Sequence, residues 1–197
     1  DRELLYTTFY DILNDLMSYK NIDVYVTGSN SKMLSKDIVT NFRDRGSEIM
    51  VFPLSFAEYY SVSDLDKIDA LEEYMMYGGM PLSVIEKDES EKKKYLLSLH
   101  NNVFLKDIVE RYNLKDDVLL SSLIDILYSS VGSLTNTHKL ANTAESMMKV
   151  KSSDNTIKKY IDYLEDAFLF RSSKRYDVKG RRYFGTNLKY YATDVGL

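Results

Sequence analysis

The 197-residue chain is 44% hydrophobic, with only 2 Pro and 8 Gly, so it can bury a core and has no composition for long disordered linkers. It has no Cys, which excludes disulfides and thiolate metal sites and fits a reducing, cytoplasmic setting; no apolar run approaches the ~20 residues of a membrane span, and no signal-peptide pattern opens the chain. The net charge of −4 hides a separation: between Lys149 and Tyr191 eleven Lys/Arg stand against five Asp/Glu, so that segment carries +6 and the rest −10. Such a separation suits a polyanion or an acidic partner, or else a solvated basic face.

Leu4, Leu5, Phe9, Ile12, Leu13 and Leu16 recur at helical spacing and predict an amphipathic helix ending near Lys20. Ile22–Thr27 is a short β-rich run with Val24 and Val26 on one face, and it predicts a buried strand of a parallel sheet. Ser29 to Ser31 can cap a helix over about Lys32–Phe42, which Arg43-Asp44-Arg45-Gly46 ends. Glu48–Phe52 is a second strand candidate, stopped by Pro53, and Ser55–Tyr60 begins another helix. Helix, strand, helix, strand, helix is the alternation of an α/β sheet, although two strands alone make no stable one.

From Ser63 to Asn113 the pattern is helical throughout. Helices are predicted over Asp66–Tyr77 and Glu89–Tyr112, with a turn at Gly78–Pro81; Leu96, Leu99, Val103, Ile108 and Val109 lie on or near one face of the long helix. Another helix spans Asp116–Val131, with Leu119, Leu120, Leu123, Ile124 and Leu127 apolar. Then come Thr135–Met148 and Asn155–Phe168, the latter with Ile157, Ile161, Leu164 and Phe168 at helical spacing. Leu169–Tyr176 and Arg181–Thr186 read as short strands around Val178–Gly180. Helix, turn, helix and a basic hairpin is the order of a winged helix-turn-helix.

Thr27 to Asn30 lie where a parallel strand delivers residues to a ligand crevice, and a helix starting there adds unpaired N–H groups. Helix capping alone reads equally from the same residues. No GxxxxGK[ST] loop occurs, and no apolar run ends in paired acids for Mg²⁺, so a self-sufficient nucleotide site is not encoded. Arg43 and Arg45, beside a helix end, have the placement of an arginine finger acting in trans or of a solvated helix terminus. His100 and His138 lack ligand-spaced partners, so no metal site is expected. Neighbouring acids such as Glu72-Glu73 and Asp116-Asp117 diverge on a helix and read as solvated faces. In the basic hairpin, Lys174, Arg175, Lys179, Arg181 and Arg182 can contact a phosphate backbone. Asn155, Thr156, Lys158 and Lys159 lie at the N-terminal end of the preceding helix, where a recognition helix reads base edges. A winged helix used for protein contacts is the alternative.

Several phrases in one linear order carry a resemblance: VYVTGSNSKML (24–34), FRDRGSEIMVFPLSFAEYY (42–60), YGGMPLSV (77–84), NNVFLKDIVERYNLKD (101–116), KLANTAESM (139–147), TIKKYIDYLEDAFLF (156–170), RYDVKGRRY (175–183) and KYYATDVGL (189–197). The chain resembles, over nearly its whole length, the prokaryotic AAA-type predicted ATPases that join a P-loop domain to a C-terminal domain of unknown function. The resemblance implies a mixed, mostly α fold: a remnant of a parallel α/β P-loop core (1–62), a helical lid (63–132), a winged helix-turn-helix (133–191), and the start of a further, restriction-endonuclease-like domain (192–197). It implies that Ser29 and Asn30 sit in the sensor phrase beside the γ-phosphate, with Thr27 nearby. Arg45 matches the Arg of the family's Gly-Arg phrase, with Asp44 in place of the usual Gly and Arg43 as an added candidate. ATP and Mg²⁺ are implied for a longer parent and not for this chain alone, which on this reading is an internal piece, inactive by itself. Implied partners are DNA and other protein subunits, with no membrane; a non-catalytic DNA-binding, regulatory or protein-interaction module is the alternative function.

Overall fold

Helix capping and local apolar spacing account for most of the architecture in the computed structural model, which describes residues 9–28, 47, 49–114, 117–149, 151–174 and 187–197. The chain divides into two units, Asp1–Met50 and Val51–Leu197, each taken by itself below. In the first, α1 (Phe9–Leu16) buries Leu13 and leaves Phe9 and Ile12 exposed. The strand expected at Ile22–Thr27 does not form: residues 22–28 have no regular structure, and Tyr25 is 88% exposed. Residues 49–52 of the second expected strand are likewise irregular, with Ile49 and Val51 exposed. A strand needs a neighbour to take its backbone hydrogen bonds, and the described residues place none beside either run. The helix expected over Lys32–Phe42 lies outside the described residues.

The second unit is mostly helical. Its first helix, α2 (Phe56–Val62), starts at a capping box: Glu58 N–H donates to Ser55 Oγ at 3.4 Å, and Ser55 N–H donates to Glu58 Oε2 at 2.8 Å. α3 (Lys67–Tyr77) is capped by Asp66, whose Oδ1 accepts from Ile68 and Asp69 N–H at 2.8 and 3.1 Å. Pro81 opens the short α4 (Pro81–Ile85). The predicted long helix is present but not uniform. α5 (Glu89–Ser98) runs through a π-helical stretch, Leu99–Leu105, into α6 (Lys106–Tyr112), which ends at Asn113 with φ 48. Glu73 is not a solvated acid: it pairs with Lys92, a buried lysine whose ammonium also lies 5.1 Å from the Tyr77 ring centroid.

Three further helices follow: α7 (Asp117–Ser129), α8 (Thr137–Met148, capped by Asn136) and α9 (Asp154–Asp166, capped by Ser153). Then β1 (Phe170–Ser173) pairs antiparallel with β2 (Lys189–Ala192), Phe170 opposite Ala192 and Ser173 opposite Lys189. A single antiparallel bridge, Thr135 to Leu188, extends the pair on one side. The strand expected at Arg181–Thr186 lies outside the described residues; the partner that β1 takes is Lys189–Ala192. Phe168, expected on the helix face, instead sits past the helix end at φ 58.

One core unites these elements. Leu119, Leu120, Leu123, Ile124 and Leu127 of α7 pack with Leu140 and Ala144 of α8, Ile157, Ile161 and Leu164 of α9, Phe170, Tyr190 and Ile108. Leucine and isoleucine every three or four residues put one stripe of each helix inside, and that burial is the main driving force for the assembly. Tyr112 and Tyr163 stack at 3.5 Å between centroids and 14° between planes, while the Tyr112 hydroxyl donates to Asp166 at 2.9 Å, tying α6 to α9.

Candidate functional site

Of the five residues expected to face a nucleotide, Thr27 is described and is exposed on the irregular segment. Ser29, Asn30, Arg43 and Arg45 lie outside the described residues. Among the described residues, no group of three or more His, Cys, Asp or Glu is arranged to hold a metal ion. His100 is half-buried with its ring 6.3 Å from that of Tyr128, which is a packing role.

The basic set is partly in view. Asn155, Lys158 and Lys159 are exposed on the first turns of α9, and Thr156 is half-buried. Two forces hold this end: Ser153 Oγ accepts from Thr156 N–H at 3.1 Å, and Lys159 Nζ lies 5.8 Å from the Tyr163 ring centroid. His138 on α8 faces it, with Nδ1 3.4 Å from Asp154 Oδ1 and Nε2 3.2 Å from Asn142 Nδ2. Lys174 is exposed just after β1. The helix end and Lys174 are thus exposed on one unit, whereas Arg175, Lys179, Arg181 and Arg182 lie outside the described residues.

A second constellation was not read as a site from the sequence. The phrases PLSF, GGMP and DVGL converge on Asp194, a buried acid. Its Oδ2 accepts from Gly79 N–H at 2.7 Å and its Oδ1 from Gly196 N–H at 2.8 Å. Gly79 C=O accepts from Leu54 N–H at 2.8 Å, and Leu54 C=O accepts from the Tyr74 hydroxyl at 2.8 Å. Burial first, and the Asp194 charge second, push the hydroxyls of Tyr74, Tyr95 and Tyr128 above their ordinary range. The local signal was an Asx turn, an Asp with a Gly two residues on; which backbone the other carboxylate oxygen would meet, 115 residues away in sequence, was not legible.

Comparison with known proteins defines the class first. Residues 5–60 match the family described as an AAA domain, so an AAA-like region here precedes a mostly helical second region. Residues 68–197 match a family described as a domain of unknown function (DUF8612), and the chain belongs to that family. An uncharacterized protein of Haemophilus influenzae is 41% identical over 94% of this chain and 47% of its own length. An uncharacterized protein of Methanocaldococcus jannaschii is 29% identical over 80% of this chain and 37% of its own. The chain thus spans about half the length, or less, of the curated relatives it matches. No solved structure matches it.

Proposed function

We propose that this chain supplies the sensor and lid elements of an ATP-binding AAA-type ATPase, joined to a winged helix-turn-helix that contacts DNA. Ser29 and Asn30 are the sensor pair, with Thr27 beside them; Arg45 or Arg43 reaches phosphate or a neighbouring subunit. The sequence has no phosphate-binding loop of its own, so ATP and Mg²⁺ belong in this reading to the longer parent protein, in the cytoplasm. No helix among the described residues is long and apolar enough to cross a membrane.

One observation carries the DNA reading. Helix α7, the Thr135–Leu188 bridge, helices α8 and α9, and the β1–β2 pair follow one another in the winged-helix order, with the exposed end of α9 bearing Asn155, Lys158 and Lys159. Duplex DNA titrated at several salt concentrations tests it. Binding should weaken linearly in log–log form with salt, and Lys158→Glu or Lys174→Glu should each lower the slope by about one. Absent or salt-independent binding overturns this reading and favours a protein-contact module. The exposed apolar residues Ile68, Met75, Met76, Leu82 and Ile85 on α3 and α4 favour that second reading for the lid, as an inter-subunit or partner surface.

A further inference from the structure

We infer that Asp194 is a latch that fixes the helical layer of residues 56–98 to strand β2, so that the Gly78–Met80 turn and that strand shift together or not at all. The linkage is continuous. The Tyr74 hydroxyl holds Leu54 C=O, Leu54 N–H holds Gly79 C=O, and Gly79 N–H holds the Asp194 carboxylate. One residue before Asp194, Thr193 N–H donates to Leu169 C=O at 3.0 Å, continuing the ladder beyond the Phe170–Ala192 pair. Both backbone groups of Gly79 are thus engaged, one on each side.

Close packing leaves the joint no intermediate setting. A Cβ on Gly78 would stand 1.8 Å from Asp194 Oδ1, and one on Gly79 would stand 1.9 Å from Leu54 O. A Cβ on Gly196 would stand 2.2 Å from Tyr77 O. A packed joint of this kind is either closed or broken, and breaking it strands one buried carboxylate oxygen, Asp194 Oδ2, without its donor, while Gly196 N–H still serves Oδ1. The raised hydroxyls of Tyr74, Tyr95 and Tyr128, on three different helices, agree with a carboxylate placed where those helices meet. One consequence rests on the proposed function: a lid movement that follows the nucleotide state would be delivered to the strand pair of the winged helix. The latch itself rests on geometry alone.

Hydrogen–deuterium exchange on the full chain, without nucleotide or DNA, tests it. Tyr74→Phe removes only the outermost link, yet it should speed exchange in residues 187–193 as well as 76–81. Asp194→Asn, which turns an amide N–H₂ or a weaker acceptor toward Gly79, should raise exchange of the Gly79 amide on the order of tenfold. In the Asp194→Asn background, adding Tyr74→Phe should no longer affect residues 187–193. Tyr74→Phe that loosens 76–81 but leaves 187–193 unchanged overturns the latch, and so does an effect on 187–193 that persists without Asp194. The Tyr74→Phe arm decides the matter even if Asp194→Asn does not fold. A failure of DNA binding would leave all these exchange results intact, so the two readings fail separately.

Discussion

Gly79 shows how one missing side chain can hold a structure together. It is buried between the Leu54 backbone and the Asp194 carboxylate, and a Cβ there would meet Leu54 O at 1.9 Å. Backbone on one side and a hydrogen-bonded acid on the other leave nothing flexible to give way. Gly79→Ala is therefore expected to destabilise the chain by about 2–3 kcal/mol, as overpacked core positions do. Urea unfolding with an unchanged slope would measure it; a loss under a few tenths of a kcal/mol would show that the turn can relax. Gly78 adds a second constraint, since its φ of 69 suits a residue without a Cβ. Lys92 makes the opposite case: a buried ammonium is tolerated because Glu73 and the Tyr77 ring face it.

Five of the helices start at short side chains that satisfy the first free N–H groups. Ser55, Asp66, Asp88, Asn136 and Ser153 each accept from backbone at an N-terminus. For α2 the box is reciprocal, and the Ser55 backbone N–H first, then its hydroxyl, hold the Glu58 carboxyl below its ordinary value of 4.5. A depressed carboxyl stabilises the folded state above the unfolded pKa, and that contribution disappears as pH falls through the lower folded value. The start of α2 should therefore fray on acidification below pH 4.5, seen as lower amide protection at residues 56–58 once the intrinsic pH dependence of exchange is divided out. Ser55→Ala should cost about 1 kcal/mol near neutral pH. Equal protection factors at residues 56–58 in acid and at neutral pH would contradict the role given to Glu58. The strand pair behaves differently: β1 has only one buried residue, Phe170, and β2 only Tyr190, so each depends on the helices beneath it.

For the Val51–Leu197 unit as a whole, the tyrosines join elements that are distant in sequence. Burial first, and then the hydrogen bond to Asp166, push the Tyr112 hydroxyl up to about 12; burial, with Glu165 and Asp162 behind it, does the same for Tyr190. A raised phenol pKa means that folding favours the neutral form. That stability is complete below the unfolded value near 10 and is lost as pH rises toward 12. Ultraviolet titration of the tyrosinates should show a late-ionising group that Tyr112→Phe removes, with alkaline unfolding setting in over the same window. Ionisation of every tyrosine near its ordinary value would refute the α6–α9 tie. Charge is spread unevenly along the chain, with the +6 segment inside this unit and a −10 remainder that also takes in residues 1–50.

The amino-acid order alone accounts for the helices, their caps and the apolar stripes of α7 and α9, because spacing of three to four residues and an N-terminal Ser, Asp or Asn are local signals. It also carried the AAA and second-domain resemblance, which the family matches bear out at that level. The runs Ile22–Thr27 and Glu48–Phe52 look like strands in composition, yet residues 22–28 and 49–52 are irregular, since a strand exists only through its neighbours. Tertiary structure alone decided that Lys189–Ala192 pairs with Phe170–Ser173 and that Asp194 reaches Gly79. Both contacts join residues far apart in the chain, and hydrogen-bond partners at that distance are selected by which helices pack together, not by any local pattern.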